Sequence, residues 1–131
     1  MLRYDYMHSD FDPLFLFIGE ASDLVALAKL LRRFAENPEE VPVKDRILGA
    51  KSRVLLMLAP ADGESGMRDL GGKFSWKLND WQALRIAERI ETLAAADHKS
   101  GSEILEVGSA GEIPVKVSRG EFTDDFLISK Y

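Results

Sequence analysis

The sequence predicts an α+β domain in which one mixed or mainly antiparallel sheet of five to six strands carries two amphipathic helices. Three observations lead there. Two uninterrupted apolar runs of strand length, Leu14 to Ile18 and Val54 to Leu58, read as strands buried on both faces. Two longer segments repeat apolar residues at the helical period. The segment Lys73 to Leu78 alternates in polarity, as a strand with one wet face does. At 131 residues the chain suits a single domain spanning its whole length.

The first strand, Leu14 to Ile18, is bounded by Pro13 and Gly19. A helix follows, with Ser22 or Asp23 as its cap and Leu24, Leu27, Ala28, Leu31, Phe34 and Ala35 as its apolar stripe. Asn37-Pro38 ends it, because the residue before proline avoids helical geometry. Val41-Pro42-Val43 reads as a short edge strand, since proline lacks a ladder donor. Val54 to Leu58 stops at Pro60. Asn79 caps the second helix, with Gln82 at capping-box spacing and Ala83, Ile86, Ala87, Ile90, Leu93 and Ala94 as the stripe. Lys99-Ser100-Gly101 closes it, and Ile104 to Val107 with Ile113 to Val117 reads as a hairpin. Phe122 to Tyr131 fits a short helix or a last strand equally well.

The strand-helix-strand order occurs twice. Phe17, Asp23, Ala26, Leu27 and Arg32 recur as Phe74, Asp80, Ala83, Leu84 and Arg89 at one offset. That offset places the stripe residues Ala28 and Leu31 on Arg85 and Glu88, and the stripes superpose only two residues further on. A duplication should keep its buried face, so the identities read as chance. The twin buried strands also require cover on both faces. A second copy of the chain could supply it, which makes a homodimer one expectation.

Composition narrows the function classes. Hydrophobic residues make up 46% and charged residues 30%, an ordinary globular balance. There is no cysteine, which removes disulfides, thiolate nucleophiles and Cys-ligated zinc. The start lacks the basic-then-apolar pattern of a signal peptide, and no apolar run approaches membrane-spanning length. A cytoplasmic protein without membrane partners is the expectation. Net charge is −5, with 22 acidic against 17 basic residues and no basic stripe. That argues against nucleic acid and is compatible with a basic protein partner.

The glycine-rich run from Ala61 to Lys73 is the expected site, because a connection this long usually carries function. Its glycines do not match the phosphate-loop spacing, and a strand rather than a helix follows. Turns explain them: Asp62-Gly63 and Gly71-Gly72 suit tight reversals. What remains at the tip is a mixed patch of Glu64, Met67, Arg68 and Asp69. Trp76 shares a face with Phe74 and belongs in the core. Trp81 lies off the helical stripe and either packs under the loop or anchors a partner, packing being the commoner fate of tryptophan.

Two sets of residues could support chemistry instead. His8, Asp10 and Asp12 share one parity, as a metal site on an extended segment would need, but they equally suit a polar terminus. Glu121, Asp124 and Asp125 could act as acid and base, or could sit at a helix start capped by Thr123. His98, with Asp97 and Ser100 beside it in sequence, fits a helix C-terminus better than a triad. No metal or cofactor is implied. The leading expectation is a non-catalytic protein-interaction or ligand-binding domain acting through the 62–73 loop and the adjoining sheet face, with Glu64, Met67, Arg68, Asp69 and Trp81 as contacts. The competing expectation is a small carboxylate-based enzyme, with or without a metal.

Overall fold

A computed structural model describes residues 1–8, 13–95, 97 and 101–120. In chain order its elements are β1 (Arg3–Met7), β2 (Leu14–Gly19), α1 (Ala21–Glu36), β3 (Val41–Pro42), α2 (Val43–Arg46), β4 (Leu56–Pro60), β5 (Gly66–Asp69), β6 (Phe74–Leu78), α3 (Asp80–Ala95), β7 (Gly101–Leu105) and β8 (Val115–Arg119). The fold is α+β, but its strands form two four-stranded sheets rather than one sheet of five or six. The first has the order β1-β2-β8-β7 and the second β3-β4-β6-β5. Each is mixed, with a central parallel pair flanked by antiparallel strands.

The two buried runs sit at the sheet centres, as their lack of alternation requires. Phe15 and Phe17 of β2 face the main core, whereas Leu16 and Ile18 form a second cluster with Met7 on the opposite face. Leu16 and Ile18 are only 1% and 2% exposed in the single chain, so their burial does not require a second copy. Val54 and Leu55 precede β4, and Leu55 is half exposed, so that strand starts two residues later than its hydrophobicity suggests. β6 has its apolar side in the core through Phe74, Trp76 and Leu78, yet Ser75 on its other side is also buried.

Both long helices bury the stripes expected of them. α1 buries Leu24, Leu27, Ala28, Leu31 and Phe34, and α3 buries Ala83, Ile86, Ala87, Ile90 and Leu93. The helices pack against each other, and alanine at 28 and 87 permits a close approach. The cap of α1 is neither Ser22 nor Asp23. Glu20 takes that position, and its backbone N–H donates to Asp23 Oδ2 at 2.9 Å. Asn79 caps α3 as expected: Gln82 N–H donates to Asn79 Oδ1 at 2.7 Å, and Asn79 N–H donates to Gln82 Oε1 at 2.9 Å.

The two halves are related by an approximate half-turn. Arg32 of α1 holds Glu91 of α3 with two charge-assisted bonds of 2.6 and 2.7 Å across a separation of 59 residues. Phe15 against Phe74 and Phe17 against Trp76 have that same separation, each with ring centroids 5.3 Å apart. The strand pairing obeys it too: Phe15 opposite Val115 in β2–β8 corresponds to Phe74 opposite Leu56 in β6–β4. The two halves therefore do repeat in structure, at the offset that superposes the stripes, and the expectation of no repeat is corrected. The residue identities at the other offset play no part in that correspondence. Each half donates two strands to each sheet, so the second hairpin of one half completes the sheet begun by the other.

β1 and β5 are outer strands, and loops cover part of each edge. Lys51 bonds β1 through Tyr4 N–H and Leu2 C=O, while Ile113 N–H donates to Met67 C=O of β5 at 2.9 Å. Among the described residues, no helix is long and apolar enough to cross a membrane.

Candidate functional site

β4 and β6 run parallel with Pro60 opposite Leu78, so the chain leaves both strands on the same side of the second sheet. The segment 61–65 therefore emerges beside the first turn of α3. Three contacts hold it there. Ala61 N–H donates to Leu78 C=O at 3.1 Å. Lys77 Nζ bridges both oxygens of Asp62 at 3.2 and 3.3 Å, which holds that carboxyl below its ordinary pKa. Gln82, already fixed by the cap of α3, donates from Nε2 to Ser65 Oγ at 3.3 Å.

This framework displays one large aromatic side chain. The buried stripe of α3 turns Ala83, Ile86 and Ala87 inward, which leaves Trp81, Leu84 and Arg85 on the outer side. Trp81 is 65% exposed, and the Arg85 guanidinium lies over its ring at 5.4 Å from the centroid. The expectation that Trp81 packs beneath the loop is therefore not met. Asp80 and Glu88 are exposed on the same helix, and Glu64 projects from the neighbouring loop with its side chain 61% exposed. Trp81 thus shares the exposed side of α3 with Leu84, Arg85, Asp80 and Glu88, next to a loop whose Glu64 pairs with Arg68.

The expected contact residues are only partly brought together. The run from Ala61 to Lys73 is no structureless loop, since β5 occupies 66–69 and pairs with β6 as a hairpin. Met67 is wholly buried in the core and offers no surface. Arg68 is a brace: its guanidinium donates to Ser65 C=O at 2.9 Å and Ser109 Oγ at 2.6 Å, and lies 3.5 Å from Glu64. Asp69 lies at the far end of β5, where its Oδ1 accepts the Gly71 N–H at 2.9 Å and shapes the next turn. Glu64 and Trp81 remain. Leu84 and Arg85 join them without having been anticipated, although their spacing of three and four residues from Trp81 carried the signal.

Of the residues considered for catalysis, Asp10, Asp12, His98, Ser100, Glu121, Asp124 and Asp125 lie outside the described residues. His8 is exposed and meets the Tyr6 ring edge-on. Among the described residues, no three His, Asp or Glu side chains converge as a metal ion would need. No family model, curated protein or solved structure matches the chain.

Proposed function

We propose that the protein is a non-catalytic binding protein that recognises a basic segment of a protein partner. The contact surface is the outer side of the first two turns of α3 together with residues 61–65. One observation carries this reading, the exposed Trp81 on a rigid, capped helix. Tryptophan is costly to leave in water and is enriched at interface hot spots. The helix and the braced loop are ordered before binding, so little entropy is lost in docking. Of the charged groups on this surface, Glu64 pairs with Arg68, and the exposed Asp80 and Glu88 outnumber Arg85, in keeping with the net charge of −5. A basic partner gains electrostatic steering from that sign.

The test is affinity capture from the native cell with wild-type protein and with Trp81→Ala, followed by calorimetry on the recovered partner. The substitution should weaken binding by about 2 kcal/mol or more, roughly thirtyfold. Added salt should weaken the wild-type complex. A partner held equally well by Trp81→Ala would place the interface elsewhere.

A further inference from the structure

A concave feature lies at the C-terminal end of α1, where α1, the following turn and α2 line an open cavity of about 290 Å³. Its floor is apolar and consists of Leu30, Phe34 and Val41, all buried. Its rim carries Arg33 and Arg46 on one hand and Glu36 and Glu39 on the other. None of these residues belongs to the surface around Trp81.

The two arginines set this cavity apart. Every other arginine has a partner: Arg32, Arg53, Arg68 and Arg89 hold carboxylates, Arg85 covers Trp81, and Arg3 and Arg119 are also engaged. The side chains of Arg33 and Arg46 alone among the arginines have no hydrogen bond, ion pair or ring contact among the described residues, and both line the same cavity. The half-turn that relates the two halves does not reproduce the feature. Thr92 stands where Arg33 would recur, and among the described residues the second half has no counterpart of α2, which carries Arg46. Packing symmetry therefore does not account for the pair.

We infer that this cavity binds a small zwitterion, an α-amino acid with a branched or aromatic apolar side chain. Guanidinium groups bind a carboxylate with paired N–H donors, a role for Arg33 and Arg46. The ammonium group is drawn to Glu36, Glu39 and the negative C-terminal end of α1. The side chain lies on Leu30, Phe34 and Val41. At about 290 Å³ the cavity falls just below the usual range for ligand pockets, about 300–1,000 Å³, which suits an amino acid and excludes a dinucleotide.

Calorimetric titration of the full chain with L-phenylalanine and L-leucine tests this, with 3-phenylpropanoate and phenethylamine as single-charge controls. At least one amino acid should bind in the millimolar range or tighter, and each control should bind about tenfold more weakly, a loss of about 1.4 kcal/mol. Arg33→Gln and Arg46→Gln should each weaken binding about tenfold or more without unfolding the chain, because neither side chain supports a structural contact. Trp81→Ala should leave amino-acid binding unchanged, which separates this site from the protein-binding surface. Absence of binding by both amino acids would overturn the inference. So would affinity indifferent to both arginine substitutions, or 3-phenylpropanoate binding as tightly as L-phenylalanine.

Discussion

Gly66 meets two constraints at once. Its φ is +92°, a conformation that costs other residues about 1–3 kcal/mol. A methyl group there would also lie 2.5 Å from Glu112 Oε2 and 2.7 Å from Glu112 Cβ. Glu112 is poorly placed to yield, because its carboxylate accepts backbone N–H groups from Val107, Gly108 and Ser109 at 2.7 to 3.1 Å. Gly66→Ala should therefore lower stability by about 2 kcal/mol or more in urea denaturation, and an unchanged midpoint would show that the loop gives way. Tyr4 supplies a pH-dependent counterpart. Burial, reinforced by the charge of Asp45, raises its pKa from 10.0 to about 12. The unfolded chain then ionises first, so the contribution is intact below pH 10 and is lost as pH rises towards 12. Tyr4→Phe keeps the ring in the core and should flatten the decline in stability over that interval. Equal alkaline slopes for the two proteins would assign the decline to other groups.

At the scale of elements, the caps show what a short stretch of sequence reveals. Asn79 and Gln82 are three residues apart and satisfy each other, so the start of α3 is legible locally. Asn79→Ala should cost about 1 kcal/mol in thermal or chemical denaturation. Ser22→Ala should cost almost nothing, because Ser22 lies exposed within the first turn of α1 and Glu20 is the cap. A comparable loss at both sites would mean that Ser22 still caps the helix in solution. That start was misread because glutamate is an uncommon cap, and the bond from Glu20 N–H to Asp23 becomes evident only in three dimensions. β5 escaped notice for a related reason. It has four residues bounded by glycines, and its place is set by pairing with β6 and by Ile113, not by any pattern of its own. Trp81 shows the limit of residue-type reasoning. The usual burial of tryptophan favours packing under the loop, whereas its position off the stripe of Ala83, Ile86 and Ala87 leaves it exposed in the structure.

For the whole molecule, hydrophobic runs reveal which strands are buried but not which strands lie beside them. Leu14 to Ile18 had to be covered, and nothing in its five residues could say that β8, about a hundred positions later, would pair with it. The number of sheets thus depended on contacts between distant residues. Because β1 and β2 are completed by β7 and β8, while β3 and β4 are completed by β5 and β6, neither half owns a sheet. The core is continuous across the half-turn through Phe15, Phe17, Phe74 and Trp76. Unfolding should consequently be a single cooperative transition, with tryptophan fluorescence and far-ultraviolet circular dichroism changing together in urea. The sharper test cuts the chain between Asp62 and Gly63. Each fragment carries two half-sheets whose central parallel partners are missing, together with one long helix whose buried stripe has lost the other long helix. Such pieces cannot bury enough apolar surface to offset their conformational entropy, so each should be largely unfolded alone. Mixed in equal amounts, they should recover the circular dichroism of the intact chain, because all inter-half contacts can re-form without the bond at the loop. A fragment that folds cooperatively alone would show that one half is a self-sufficient unit, and shared sheets would then not be what holds the molecule together.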